Sequence, residues 1–258
     1  MERETITLDL AQLGLGLTGI GRVWGHAQKP VPPESEARAL LEKAFELGIQ
    51  VYDTAPAYGL SEQRLGAFLK SLSREQRENL FIATKFGEHW NDDGTTRVDH
   101  SYDALMRSLD RSLERLGDVD LVQVHKASVA ALQGEDLRWA LEAAQAMDIP
   151  QFGASVNDLE AGRLAIDMGF HWLQLPLNIE SRQFEPLLAE ACAAGVKLMT
   201  NRPFANGAGL AGRAGEAREQ WMAEAVAYVR AANPDGIVLT GTSSVANLIA
   251  NHRLFHAL

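Results

Sequence analysis

The chain has 258 residues, 46% of them apolar, a formal net charge of -10 and a pI near 5.2. That length and apolar content suffice for one large core, while the acidic balance disfavours a broad electrostatic footprint for nucleic acid or anionic lipid. A single cysteine, Cys192, excludes an internal disulfide framework and a multi-cysteine metal site.

The opening residues, MERETITLDL, lack the basic region and apolar run of a signal peptide, and no later stretch is apolar enough to span a bilayer. A cytoplasmic location without membrane partners is therefore the expectation. Short runs rich in Val, Ile and Leu then alternate with helical patterns. Strands are predicted at 13–17, 49–53, 80–85, 119–125, 151–155, 171–175, 196–200 and 236–240. Helices are predicted at 34–47, 61–71, 99–116, about 135–147, 157–168, 183–194, 216–232 and 244–255. In the first helix Ala37, Leu40, Leu41, Ala44 and Phe45 form an apolar stripe, and Gly48 is placed to end it.

Eight strand–helix units in this length predict a (β/α)₈ TIM barrel, one domain over 1–258, with its active site where the strands' C-terminal ends meet the following loops. An open doubly wound sheet is the alternative, but it would want a GxGxxG turn opening a helix. The nearest match, GLGLTGIG at 14–21, runs into Arg22 and then Pro30, Pro32 and Pro33, so no helix is expected to begin there. KPVPP at 29–33 reads as an extended loop. Residues 91–99, NDDGTTRVD, read as a polar loop crossing the barrel rim, since their order is not that of a calcium loop. The dispersed histidines offer no metal motif. Cys192, in the run EPLLAEACAAG, reads as a small buried hydrophobe.

On a barrel, residues closing the strands converge. Asp53 ends the second strand, Lys85 the third and His125 the fourth, with Tyr58 in the loop after Asp53. Each taken alone has an ordinary structural reading, as a turn cap, an exposed charge, a satisfied core histidine or a loop plug. Four at equivalent strand ends make a candidate site.

The segments DTAPAYGLSEQRLG (53–66), ATKFG (83–87), DLVQVHKA (120–127), FGASVNDL (152–159) and LQLPLN (173–178) resemble the aldo-keto reductases in identity, order and spacing. The resemblance continues through RPFANGAGL (202–210) and GTSSVANLIAN (241–251) and so covers nearly the whole chain. It implies a nicotinamide-dependent oxidoreductase acting on a small carbonyl or alcohol substrate, with Asp53, Tyr58, Lys85 and His125 as its catalytic tetrad. In that reading Tyr58 exchanges the proton, Lys85 lowers the phenol's pKa, Asp53 positions Lys85, and His125 orients the carbonyl.

The same resemblance assigns the cofactor to Gly16, Thr18, Ser155, Gln174, Asn201, Arg202, Pro203, Gly207, Gly241, Thr242, Ser243, Asn247 and Asn251. Ser155 and Gln174 are the expected carboxamide contacts. Where relatives have Asn directly after the serine, this chain has Val156, which leaves Asn157 to cap the following helix. Asn201 stands where relatives often stack an aromatic ring. Gly241, Thr242 and Asn247 replace the Lys-Ser and Arg found in many members that select NADPH, so two cations that would hold the 2′-phosphate are missing; because other branches of the family carry Gly-Thr or Gly-Ala there and use NADPH, NADPH is still expected slightly ahead of NADH. Trp24 and Trp90 are the candidate substrate-lining residues, and Ser61 is the expected cap of the helix after Tyr58. The chain ends at Leu258, short of the long C-terminal segment of many relatives, and a relatively open pocket is expected. Two other classes fit less of the pattern: a Schiff-base aldolase or isomerase using Lys85, and a nicotinamide-binding sensor with little turnover. Oligomeric state, substrate identity and reaction direction are not legible.

Overall fold

A computed structural model describes residues 11–257 of the protein. Eight parallel strands close into a barrel: β1 (Gln12–Gly16), β2 (Val51–Asp53), β3 (Phe81–Phe86), β4 (Leu121–Ala127), β5 (Phe152–Val156), β6 (Trp172–Pro176), β7 (Lys197–Asn201) and β8 (Ile237–Gly241). Each pairs with its sequence neighbours, and β8 pairs with β1 to complete the ring. Every predicted strand is present within two residues of its expected limits. The principal helices are α1 (Glu34–Glu46), α2 (Ser61–Leu69), α3 (Tyr102–Leu116), α4 (Glu135–Ala146), α5 (Leu159–Asp167), α6 (Glu185–Ala193), α7 (Gly215–Ala232) and α8 (Val245–His256).

The strands alternate between two apolar regions because successive side chains point to opposite faces. Val51, Phe81, Leu121, Trp172, Met199, Ile237 and Leu239 form the smaller cluster, while residues such as Leu15, Tyr52, Ile82 and Val122 join the helices in the larger one. In α1 the predicted stripe is buried at Ala37, Leu40, Leu41 and Ala44, and Gly48 follows it at φ +78°. Leu41→Ala would cost about 2–5 kcal/mol through the cavity it leaves.

Four local expectations are corrected. A one-turn helix, Thr18–Gly21, does begin within the glycine-rich segment, too short to need an amphipathic pattern. The 91–99 stretch is mostly a β-hairpin, with Glu88–Trp90 pairing antiparallel to Thr96–Val98 around a tight turn. Asp158, not Asn157, caps α5 by accepting from the Ala161 N–H at 2.8 Å. Ser61 lies inside α2 and is paired with the Thr54 hydroxyl at 2.8 Å, so it is no cap.

Cys192 is also corrected: it is exposed on α6. That helix carries Leu and Ala on more than one face, so apolar neighbours in sequence do not identify the buried side.

Candidate active site

The closed register aligns the strand ends. Gly16 lies beside both Asp53 and Gly241, Ser155 beside Gln174, and Pro176 beside Asn201. Most of the predicted site residues are thereby brought to one rim.

At its centre the Lys85 ammonium, fully buried, donates to both oxygens of Asp53 at 2.6 Å and to the Thr54 carbonyl at 3.0 Å. Gln174 and Gln123 donate their amides to Asp53 Oδ1 at 3.0 and 3.3 Å. Two amide donors and an ammonium thus satisfy a carboxylate that burial would otherwise penalise. Gln174 is spent here, on Asp53 and on the Met199 sulfur at 3.2 Å.

Tyr58 closes a short 3₁₀ turn, Pro56–Tyr58, and hydrogen-bonds to the side chains of Lys85 and Thr18. The Lys85 nitrogen lies 5.0 Å from the centre of its ring, and His125 meets the ring edge-on at 5.7 Å between centroids. Lys85 lowers the Tyr58 pKa as expected, but the net shift is upward. Desolvation raises the Tyr58 pKa above the ordinary phenol value and outweighs the lowering by the Lys85 charge and by the Lys85 and Thr18 hydrogen bonds, while the Asp53 charge adds to the rise. For Lys85 itself burial disfavours the ammonium, yet Asp53 and Tyr58 hold its pKa above the usual lysine value. It therefore remains a cation at neutral pH.

His125 sits at an irregularity of β4. The pairing register with β5 shifts between Val124 and Ala127, and Lys126 adopts a left-handed φ of +53°. Such bulges re-aim a side chain. Burial drives the His125 pKa well below its ordinary value, with the positive charges of Lys85, Lys126 and Arg22 and the adjacent His100 adding to that effect. The Nε2 of the neutral ring lies 3.2 Å from Glu88 Oε2, a separation at which a proton on Nε2 faces the carboxylate. Its Nδ1 is buried without a partner among the described residues.

Glu88 and Arg22 were not singled out by sequence. Glu88 is buried at the start of the hairpin and also accepts from Thr96 at 2.8 Å. It follows Gly87, whose φ of +103° turns the chain inward, and a Cβ on Gly87 would lie 2.5 Å from the His100 ring. Arg22 donates to the Ala57 carbonyl at 3.0 Å, with its guanidinium 4.9 Å from the Trp24 ring and 5.8 Å from the Trp90 ring. Trp24 and Trp90 therefore share a cation at the mouth, Trp24 being substantially exposed. An Arg-x-Trp spacing was the available signal.

Elsewhere on the rim, Gly19 packs against Thr242 and Ser243, and the His26 N–H donates to the Asn206 carbonyl at 2.8 Å. These contacts gather the loops after β1, β7 and β8. Asn201 ends β7 with a buried Oδ1 lacking a partner among the described residues, and Arg202, Pro203 and Gly207 follow in a loop where Arg202 and Gly207 both have positive φ. At α8, Ser244 Oγ accepts from the Asn247 N–H, Thr242 Oγ1 from the Ser244 N–H, and Asn251 is buried within the helix. No group of three or more His, Cys, Asp or Glu among the described residues is placed to hold a metal, and no helix among them is long and apolar enough to cross a membrane.

A closed parallel barrel that gathers an ammonium, a carboxylate, a phenol and an imidazole at its strand ends is a (β/α)₈ protein with a candidate site on that rim. The pattern of the Aldo/keto reductase family matches residues 12–225, and the chain belongs to that family. It is 37% identical over 129 residues to L-galactose dehydrogenase of Arabidopsis thaliana, an alignment covering 48% of this chain and 37% of that protein. It is 34% identical over 122 residues to the aldo-keto reductase yakc [NADP(+)] of Schizosaccharomyces pombe, covering 45% of this chain and 34% of that one. The chain thus spans well under half of these curated relatives in the matched regions. In three dimensions it is similar to a Pseudomonas aeruginosa protein described as an aldo-keto reductase, with a TM-score of 0.77 at 28% identity, covering 95% of this chain and 89% of that one.

Proposed function

We propose that the chain is a nicotinamide-dependent oxidoreductase that interconverts a small aldehyde or ketone and its alcohol, with Tyr58 exchanging the proton. The observation that carries this reading is the buried Lys85, paired with Asp53 at 2.6 Å and hydrogen-bonded to Tyr58. A phenol is a weak acid with an ordinary pKa of about 10, so a fixed cation against it stabilises the phenolate left after proton donation. Asp53 keeps that cation in place, and the Thr18 hydroxyl donates to the same phenol. His125 is neutral and presents an N–H as an orienting donor; a substrate carbonyl reaching it shares that donor with Glu88.

The rim residues fit a nicotinamide cofactor. Ser155 and the orphaned Asn201 carbonyl oxygen would serve its carboxamide, with Gln174 holding the Asp53 side of the pocket. The Gly241–Ser243 turn and the first-turn N–H groups of α8 would hold phosphate, as unsatisfied helix-start donors do. Arg202 adds a cation beside them. The bound cofactor supplies or accepts the hydride. NADPH is placed ahead of NADH, supported by the NADP(+) in the name of the Schizosaccharomyces pombe relative.

The test is cofactor consumption against sugars, small aldehydes, ketones and pyridoxal with both reduced cofactors. Wild type should turn over at least one of them. Tyr58→Phe should bind cofactor normally yet lose about 100-fold or more in carbonyl reduction, as removal of a general acid does. Undiminished turnover by Tyr58→Phe would overturn the assignment.

A further inference from the structure

A groove of about 580 Å³ runs between α2 and α3 beneath the hairpin, starting at Gly21, Pro56 and Gly59 beside the Tyr58 turn. Gly59 and Trp90 form one end of its lining, and Arg97, Arg107, Arg111 and Arg115 contribute four guanidinium groups. Asp92 is the acidic residue in that lining. Such a concentration of positive charge stands out on a chain of net charge -10.

Arg107, Arg111 and Arg115 are spaced four apart and so lie on one stripe of α3, where like charges repel by a few tenths of a kcal/mol per pair. Their counter-charges are uneven. Arg115 is bound to the fully buried Glu62 at 3.0 Å. Arg97 meets Asp99 at 2.7 Å and Arg107 approaches Asp103 at 3.8 Å, both pairs open to solvent and worth little. Arg111 has no ion-pair partner among the described residues.

A second observation is independent of charge. Ser108 also lines the groove, is 4% exposed, and has a buried hydroxyl with no hydrogen-bond partner among the described residues. Buried hydroxyls are ordinarily satisfied, and this one follows Arg107 directly in the chain and lies about one turn from Arg111. A donor hydroxyl beside unneutralised guanidinium groups is the chemistry that holds a multiply charged oxyanion.

We propose that this groove is a second ligand site, for a phosphate or phosphate ester, adjoining the strand-end rim at Trp90 but using none of the proposed tetrad or cofactor residues, with Arg111, Arg107 and Ser108 as its principal contacts. The reading does not depend on the oxidoreductase assignment. None of the three residues belongs to the proposed tetrad or to the cofactor contacts.

The experiment is calorimetric titration of the full chain with pyrophosphate, and separately with glycerol 3-phosphate, each with and without saturating NADPH. Wild type should show saturable one-site binding that NADPH does not displace. Arg111→Gln should weaken it about tenfold and Ser108→Ala about threefold, with thermal unfolding and cofactor binding unchanged. Stronger binding of glycerol 3-phosphate would identify an organic ester as the ligand class, and stronger binding of pyrophosphate an inorganic one. Absence of saturable binding to wild type, displacement by NADPH, or wild-type affinity in both Arg111→Gln and Arg107→Gln would overturn the proposal.

Discussion

Replacing Lys85 by Met keeps the length of the side chain and removes its charge from a fully buried position. The ammonium is lost from both Asp53 oxygens at 2.6 Å and from the Thr54 carbonyl at 3.0 Å. Leaving one partner of a buried pair uncompensated costs about 3–5 kcal/mol. Here Gln174 and Gln123 still donate to Asp53 Oδ1, each such bond offsetting about 1 kcal/mol, so a net loss of about 1–3 kcal/mol is expected. Urea unfolding should show a lower midpoint with an unchanged slope. Lys85 has a raised folded-state pKa, so its contribution is complete below the unfolded value of about 10.4 and is lost only as pH rises through the folded value. The gap between wild type and variant must therefore stay level from about pH 6 to 9. Adding Asp53→Asn should recover part of the loss, because the uncompensated carboxylate is gone. A cost below about 1 kcal/mol, or a double variant less stable than the two single losses added together, would refute the buried-pair argument.

Thr18→Val removes a hydrogen bond that favours the phenolate of Tyr58, so alcohol oxidation at neutral pH should fall about threefold to tenfold while cofactor affinity holds; a pH–rate profile shifted to the alkaline side is the check. His125 has a depressed folded-state pKa, so the unfolded chain takes up a proton first and stability falls as pH drops below about 6.5; in His125→Gln that part of the decline should vanish from melting curves taken between about pH 7.5 and 5. Asn247→Arg restores a cation at an exposed position in the first turn of α8, and should tighten NADPH about tenfold while leaving NADH unchanged in fluorescence titrations.

The barrel was legible because its strands are short Val-, Ile- and Leu-rich runs between helices with strong apolar stripes, α1 and α3 above all. The convergence of Asp53, Lys85 and His125 was legible because all three lie within two residues of a strand's C-terminal end. What periodicity could not supply was direction after the strand. Glu88 reaches His125 only because Gly87 takes a positive φ, and Lys126 reverses locally to seat His125; neither conformation follows from residue type alone. The net direction of the Tyr58 shift was not legible for a different reason: the lowering by Lys85 can be inferred from identity, whereas desolvation depends on everything packed around the ring. Asn157 and Asp158 are both able to cap, and only backbone geometry selects between them.

Gly21 and Gly59 hold the first loop and the Tyr58 turn in direct backbone contact: a Cβ on Gly21 would fall 1.7 Å from the Tyr58 carbonyl oxygen, and one on Gly59 2.4 Å from the Gly21 carbonyl oxygen. Redesign has little freedom on that side, since even an alanine at either glycine forces the Tyr58 turn to move. The hairpin tip across the mouth, Asn91–Asp92–Asp93–Gly94–Thr95, is solvent-facing over most of its length and carries no such constraint. Loop libraries placed there would vary the rim while leaving the proton-transfer geometry undisturbed, which makes the hairpin the natural point of diversification for this scaffold.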